Sequence, residues 1–268
     1  MPALADPLRV ATGAPALLRR LTTADGELRR AVPTSRRLSI LQADGGAGAT
    51  TTTARLGAAL AVRRHGEVLL VDAARGGGAL AAAAGLSDPP SLAHAARRAA
   101  GATRAGQLRD LGPRTASGLL AVGDGAAPAT RADWVPVISG AGRFFDVVLT
   151  DWGVRDLPQG REVAASSHAV AILARADRGP AERGLALAAA LAADGAAPVH
   201  LVLVDVGGTG GASAAVVADL APVPVLRLPH VAALGAGGAA AARLGLSARA
   251  AYAAAAAALL RASLGEAA

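Results

Sequence analysis

Short, uninterrupted apolar runs separated by alanine-rich stretches are the feature that most constrains the fold of this 268-residue chain. The runs do not alternate apolar with polar residues, and such a continuous pattern is typical of strands buried on both faces of a parallel sheet. They occupy Leu38–Ala43, Val68–Val71, Leu119–Val122, Phe145–Thr150, Ala169–Leu173, Val199–Val204 and Val223–Leu228. The predicted fold class is therefore α/β, with an open, doubly wound, mostly parallel sheet of about seven strands flanked by helices.

The stretches between these runs supply the predicted helices. They lie at Thr50–Arg64, Ser91–Ala100, Ala181–Ala193, Ala212–Leu220 and Ser247–Leu264. In a sheet of this kind, ligands bind at the carboxyl ends of the strands, so the functional residues are sought there.

Composition excludes several classes of chemistry. Aromatic residues make up only 2% of a chain that is 53% hydrophobic, so the core is built from Leu, Val and Ala, which favours helices on a sheet over an aromatic-rich sandwich. Cysteine is absent, which excludes disulfides, cysteine–zinc sites and thiol chemistry. Lysine is absent as well, because all 27 basic residues are arginine, and this excludes an intact P-loop.

Residues 1–36 are predicted to form a basic N-terminal extension before a domain spanning 37–268. Seven arginines lie within the first 37 residues, and the net charge of the chain is +7. Such a segment can contact nucleic acid, anionic lipid or an acidic protein, although a GC-rich genome also explains this composition. Short helical stretches are expected at Ala14–Arg20 and Ala24–Arg30.

Neither a secretion signal nor a membrane span is expected. Asp6 and Arg9 interrupt the N-terminus before any long apolar stretch. The uncharged run Ala250–Leu260 is bounded by Arg249 and Arg261 and is shorter than the roughly 20 residues that a span requires. The expected location is cytoplasmic.

The glycine-rich stretch Asp44–Thr53 carries the most chemical information. Gly45, Gly46 and Gly48 follow a predicted strand, and a run of threonines opens the next helix. Glycines let backbone N–H groups converge on an anion, and the helix N-terminus adds partial positive charge. The stretch therefore predicts a phosphate cradle in which Thr50 can ligate Mg²⁺. The alternative is a tight turn that needs glycine only for its backbone conformation.

This stretch resembles the nucleotide-binding loop of the ParA/MinD group of deviant Walker-A ATPases, which reads Lys-Gly-Gly-x-Gly-Lys-Thr-Thr. The resemblance extends from Leu38 to Leu264. It implies binding of ATP or ADP with Mg²⁺ by the loop residues Gly45, Gly46, Ala47, Gly48, Ala49, Thr50 and Thr51.

Both lysines of the family motif are missing. The signature lysine, which in the family reaches the other subunit's phosphates, is Asp44, and the lysine between the β- and γ-phosphates is Ala49. Such lysines offset phosphate charge and stabilise the transition state, so fast hydrolysis is not expected and nucleotide affinity should be weak or lost. Arg55 and Arg75 are the hypothesised substitute cations, because guanidinium suits phosphate.

The resemblance also assigns roles to residues at later strand ends. Asp72 closes a strand like the family's second strand, and Asp151 closes a strand like its Walker-B strand. This implies Asp72 and Asp151 as catalytic residues, with Thr50 and Asp151 as metal ligands. Capping of a neighbouring loop or helix is the alternative role for each carboxylate. Beyond the loop, the resemblance implies contacts with the nucleotide base from Asp205, which stands where the family often has a base-reading asparagine, and from Pro229, in a turn near the base. Arg75 is a hypothesised nucleotide-binding residue only as a substitute cation.

Within that group, the chain looks most like MinD-like proteins associated with actinobacterial type VII (ESX) secretion. The residues behind this resemblance are Thr50–Gly57, Val71–Ala73 with Gly78 and Leu80, Leu228–His230, Leu234–Gly237 and Arg249–Tyr252. Tad-pilus assembly and septum-site proteins are the rival resemblance, but they commonly carry a receiver-like domain where this chain has only residues 1–36.

The leading hypothesis is a degenerate ParA/MinD-like regulator or scaffold with very weak or no ATPase activity. It would act through protein partners of a secretion or polar complex, or as a homodimer in which Asp44 pairs with an arginine of the second copy. Three alternatives stay open: a slow Mg²⁺-dependent ATPase of the Tad-pilus or partition type, a basic DNA-binding module, and an NAD(P)-binding oxidoreductase. The last is favoured by Gly46-x-Gly48 followed by Asp72, although Thr51 replaces the third glycine.

Overall fold

The computed structural model of the chain describes residues 6–64, 67–74, 79–108, 110–235 and 244–266, with side chains from residue 15 onward. Seven strands lie in this part of the chain: β1 Arg36–Gln42, β2 Val68–Asp72, β3 Leu119–Val122, β4 Val147–Val154, β5 Ala169–Arg175, β6 Val199–Val204 and β7 Val225–Leu228. Their order in the sheet is β3-β2-β4-β1-β5-β6-β7, and each adjacent pair is parallel. The predicted fold class is confirmed.

Ten α-helices are described, at α1 Asp6–Arg29, α2 Ala49–Ala61, α3 Ala79–Ala83, α4 Leu92–Ala99, α5 Arg131–Gly140, α6 Leu157–Ala164, α7 Arg178–Ala193, α8 Gly211–Leu220, α9 Ala232–Gly235 and α10 Leu246–Ser263. Short 3₁₀ turns add Ala105–Leu108 and Gly142–Phe144. The five predicted helices are present, with ends shifted by up to three residues. Helices α3, α5, α6 and α9 were not predicted.

The helices cover both faces of the sheet, which is why the strands carry continuous apolar runs. On one face, α4 to α8 pack over side chains such as Leu41 and Leu203. On the other face, α1, α2, α3 and α10 pack over side chains such as Ile40 and Val202. Successive residues of a strand point to opposite faces, so both sets must be apolar.

Helix α1 is part of the second core layer. Its residues Ala24 and Leu28 are buried against the rest of the fold, and the helix packs against α10. The two short helical stretches predicted for this segment are one continuous helix that includes Pro15. Beyond its end, Arg30 donates to both carboxylate oxygens of Glu266, at 2.6 and 2.7 Å.

The described helices include none that is both long and apolar enough to cross a membrane.

Candidate functional site

The glycine-rich loop lies at the carboxyl end of β1, which is the strand between β4 and β5 in the sheet. Gly46 and Gly48 have backbone φ angles of +80° and +73°, which favour glycine over other residues. Gly48 is the N-cap of α2, and its carbonyl oxygen accepts a hydrogen bond from the Thr52 N–H at 2.8 Å. The first N–H groups of the helix therefore face the end of the sheet, which is the geometry of an anion-binding turn.

Thr50, in the first turn of α2, is bonded to the acid at the end of a neighbouring strand. Its hydroxyl donates to Asp151 Oδ2 at 2.7 Å, and the Gly153 N–H donates to Asp151 Oδ1 at 3.0 Å. Asp151 is fully buried, and burial raises the pKa of its carboxyl while these two hydrogen bonds oppose the shift. Hydroxyl and carboxylate oxygens suit Mg²⁺, so this pair fits the predicted metal site.

Asp72 lies next to Asp151, because the two residues are paired in register on β2 and β4. Its carboxylate accepts hydrogen bonds from the backbone N–H groups of Ala74 and Leu80, at 3.2 and 3.3 Å. Burial, followed by the charge of Asp151, raises the pKa of Asp72 to about 6. The sheet therefore brings together the two acids that the sequence predicted as catalytic.

Gly123, at the end of β3, permits close packing behind this acidic pair. Its φ is +98°, and a Cβ there would lie 2.3 Å from the carbonyl oxygen of Asp72. Any larger residue would push against the backbone of Asp72.

The strand order does not fit the dinucleotide-binding alternative. In that fold, the strand with the ribose-binding acid is the direct neighbour of the strand before the glycine loop. Here β4 lies between β1 and β2, so Asp72 is two strands away from the glycine loop.

The loop residues at the two missing lysine positions have different surroundings. Asp44 Oδ2 accepts a hydrogen bond from Arg183 Nε at 2.7 Å, and the two side chains are 34% and 58% exposed. Within one chain the partner of Asp44 is therefore Arg183 on α7, and the bond from Asp44 to an arginine of a second copy stays a hypothesis. Ala49 is buried at the start of α2 and carries no charge.

Several solved structures have a similar fold. A ParA-family ATPase from Chlorobium tepidum matches at a TM-score of 0.61, with 18% identity over 81% of this chain and 97% of that chain. MinD in the MinC:MinD complex from Aquifex aeolicus matches at 0.62, with 18% identity over 87% and 97%. MinD from Pyrococcus horikoshii, solved with Mg-ADP, matches at 0.60, with 19% identity over 82% and 94%. The fold is that of the ParA/MinD P-loop ATPases.

At the level of sequence, no protein-family model and no curated protein matches the chain.

Arg55 and Arg75 are the two arginines hypothesised to replace the missing lysines. On α2, Arg55 has two guanidinium nitrogens, Nε and Nη2, that are buried and without a hydrogen-bond partner in the described part of the chain. Burial lowers the pKa of this guanidinium, and the neighbouring Tyr252 partly opposes the shift. Arg55 therefore stays a hypothesised cation for a ligand, whereas Arg75 lies outside the described residues.

Arg155, which the sequence reasoning missed, follows β4 and connects it by hydrogen bonds to the segments after β2 and before α5. Its Nη2 donates to the carbonyl oxygens of Ala73 and Ala129, both at 3.0 Å, and its charge acts favourably on Asp151. A basic residue directly after the strand that contains Asp151 is the signal that could have identified it. Arg155 therefore holds the backbone that follows Asp72 beside the end of β4.

Asp205 and Pro229 lie at the ends of β6 and β7. Asp205 Oδ1 accepts hydrogen bonds from the N–H groups of Gly208 and Gly210, at 2.7 and 3.3 Å, so one of its oxygens closes its own turn. Both residues line a cavity of about 970 Å³ that also contacts α1, α8 and α10. Among the described residues, those that line this cavity do not include the glycine loop.

Proposed function

We propose that the chain is a pseudo-ATPase with the ParA/MinD fold, which binds Mg-ADP or Mg-ATP weakly at most and acts as a regulator or scaffold. The observation that carries this proposal is the charge of the glycine loop. A backbone cradle suited to phosphate is present, but a carboxylate, Asp44, occupies one lysine position and is bonded to Arg183, while Ala49 occupies the other.

Electrostatics supports weak binding. A pair of unit charges about 4 Å apart interacts by about 1 to 4 kcal/mol at the effective dielectrics of protein surfaces. The loop loses both family lysines, which removes their attraction for phosphate. It gains the carboxylate of Asp44, which repels phosphate, although the ion pair with Arg183 offsets part of its charge. The backbone N–H groups of the loop would still hold phosphate oxygens, and Thr50 with Asp151 would hold Mg²⁺, whose charge would offset part of that repulsion.

The partners in this proposal are proteins, either components of a type VII secretion or polar or septal complex, or a second copy of the chain. Support for the secretion role is the sequence resemblance described above. The solved MinC:MinD complex supports the more general idea that this fold presents a surface for protein partners.

The proposal is tested by restoring the lysines. We expect the unaltered chain to show weak or no binding of Mg-ATP and Mg-ADP by calorimetry, and no binding of NAD. The double variant Asp44→Lys, Ala49→Lys should bind Mg-ATP at least about tenfold more tightly, because two cations then face the phosphates. Asp44→Lys alone serves as a second variant, because Ala49 is buried and its replacement can perturb folding.

The matched control is Asp219→Lys with Ala93→Lys, which makes the same change of charge at exposed sites on α8 and α4. Equal gains in the control and in the loop variants would show that net charge alone acts. Tight binding and rapid hydrolysis of ATP by the unaltered chain would overturn the proposal.

A slow Mg²⁺-dependent ATPase is the second candidate, and the proximity of Thr50, Asp72 and Asp151 favours it. The same assays separate the two functions. Slow turnover that requires Mg²⁺ and disappears in Asp151→Asn would establish the ATPase and contradict the pseudo-ATPase.

A further inference from the structure

Strand β7 leaves one edge of the sheet open. It is the last strand in the sheet order, and β6 is its only strand neighbour among the described residues. The carbonyl oxygens of Pro224 and Leu228 accept hydrogen bonds from N–H groups of β6 and of the residue that follows it, at 3.0 Å each. Successive residues of a strand direct their backbone groups to opposite sides, so those of Val225 and Arg227 point away from β6. The edge therefore presents backbone donors and acceptors that no described strand pairs.

This edge borders the cavity of about 970 Å³ that also contains Asp205 and Pro229. All four residues of β7 line the cavity, together with parts of α1, α8 and α10. Its apolar lining includes Leu17 of α1, Leu226 of β7 and Ala251 of α10, which are all half-buried. An open strand edge beside a partly exposed apolar surface is the arrangement that binds an extended peptide as an added strand.

The unmatched charge of this cavity is positive. Three arginines of its lining are exposed and form no ion pair with the side chains that the structure describes; they are Arg19, Arg20 and Arg227. The acids of the lining are already engaged, because Glu27 accepts from Arg30 at 3.2 Å and Asp205 accepts from N–H groups of its own turn. Arg261, the fourth arginine of the lining, interacts with the charge of Glu266.

This charge selects among the possible occupants of the edge. A second copy that paired through its own β7 would bring three arginines against the same three, and like charges oppose such pairing. An acidic polypeptide is attracted instead, because its carboxylates can meet these guanidinium groups. Duplex DNA also carries negative charge, but it offers neither backbone amides to the strand edge nor apolar side chains to the lining.

We propose that this edge binds an extended acidic segment of a protein partner, in which acidic residues alternate with small apolar residues. The backbone of the segment pairs with Val225 and Arg227. Leu226 and Leu228 point to the core layer that contains α10, whereas Val225 points to the opposite layer, and Arg227 shares its side of the strand. Apolar residues of the added strand therefore lie beside α10, and its acidic residues lie beside Arg227.

This inference gives the chemistry of one partner in the proposed scaffold function, and it rests on that function. The probe is a fluorescein-labelled peptide of about ten residues in which glutamate alternates with valine. We expect saturable, one-to-one binding to the full-length chain by fluorescence anisotropy. A peptide with lysine in place of glutamate should bind at least about tenfold more weakly, because its charges are repelled.

Methylated peptides test the backbone pairing. In an extended chain, the N–H groups of the glutamates all point to one side and those of the valines to the other. Methylation of one set therefore removes the hydrogen bonds to β7, and methylation of the other set changes only the solvent side. We expect one of the two methylated peptides to lose about tenfold or more in affinity and the other to bind nearly as well as the parent peptide.

A triple variant tests the charges of the lining. Replacement of the three unpaired arginines, in Arg19→Gln, Arg20→Gln, Arg227→Gln, should weaken binding of the parent peptide about tenfold or more. The matched control makes the same change of net charge at three exposed arginines outside the cavity, in Arg97→Gln, Arg98→Gln, Arg104→Gln. It should bind the peptide as the unaltered chain does. Both triple variants should keep the melting temperature of the unaltered chain, because every replaced side chain is exposed.

Several outcomes would overturn the proposal. They are the absence of saturable peptide binding, equal binding of the lysine peptide, equal affinities of the two methylated peptides, and equal losses in the two triple variants. A duplex DNA that displaces the peptide and loses its own affinity in the first triple variant would assign these arginines to nucleic acid instead. The peptide assay contains no nucleotide, so its failure leaves the test of the pseudo-ATPase unaffected, and rapid ATP hydrolysis would overturn the pseudo-ATPase without changing peptide binding.

Discussion

At the scale of single residues, Asp72 has the clearest consequence for stability. Its pKa in the folded chain is about 6, against an ordinary value of 3.8, so the folded state binds its proton more tightly than the unfolded state does. This contribution to stability is fully present below pH 3.8 and is lost as the pH rises through 6. A pKa difference of about two units corresponds to about 3 kcal/mol, so the rise in pH removes at most about 3 kcal/mol from the free energy of unfolding through Asp72.

Replacing Asp72 removes this dependence. We expect the free energy of unfolding of Asp72→Asn, relative to the unaltered chain, to rise by about 2 to 3 kcal/mol between pH 4 and pH 7. Urea unfolding at four pH values in this range measures it. Asp219→Asn, at an exposed position on α8, is the matched control. A relative stability that is flat, or that falls with pH, would contradict the environment described for Asp72.

The sequence predicted some of these residue contacts and not others. Asp72 and Asp151 both follow apolar runs, so their location at one edge could be predicted, but their direct pairing depends on β4 lying beside β2. The bond from Asp44 to Arg183 joins residues 139 positions apart, and no local pattern indicates it. The turn closed by Asp205 is local, and an aspartate three residues before Gly208 could have identified it.

At the scale of elements, α1 provides the sharpest prediction, because it was predicted as part of an extension and yet contributes to the core. Leu28 is fully buried, whereas Leu18, on the same helix, is 57% exposed. Leu28→Ala should lower the free energy of unfolding by about 3 kcal/mol, since it leaves a cavity in the layer formed with α10. Leu18→Ala should change it by less than about 0.5 kcal/mol. Equal, small effects in urea unfolding would mean that α1 does not fold with the domain.

The sequence predicted the strands, because burial on both faces of the sheet requires continuous apolar runs. Strands β1 to β6 appear as apolar runs because most of their residues are buried between helices, whereas the edge strand β7 contains the exposed Arg227 and buries only Leu228. The helices that were missed are short or contain residues that indicate turns. Helix α5 contains Pro136, and α6 begins with Leu157-Pro158 and includes Gly160. Their stability comes from packing and from side-chain caps, such as the mutual hydrogen bonds of Thr130 and Asp133, rather than from the propensity of their residues.

At the scale of the whole molecule, the positive charge is less available than the sequence suggests. The net charge is +7, but nine arginines already form ion pairs with acidic side chains of the chain; they are Arg29, Arg30, Arg63, Arg64, Arg114, Arg161, Arg175, Arg178 and Arg183. Each such arginine must leave its partner before it can neutralise a phosphate of DNA. The basic composition therefore does not by itself make this surface a nucleic-acid interface.

We therefore expect weak binding to duplex DNA, with log K falling against log salt at a slope no steeper than about −3. Fluorescence anisotropy with labelled duplex, from 50 to 200 mM salt, measures this slope. The triple variant Asp25→Asn, Glu27→Gln, Glu266→Gln frees Arg29, Arg30 and Arg63 at one end of the molecule and should bind more tightly, with a steeper slope. Tight binding and a steep slope in the unaltered chain would instead favour the DNA-binding alternative, because its arginines would then be reaching phosphates despite their ion pairs.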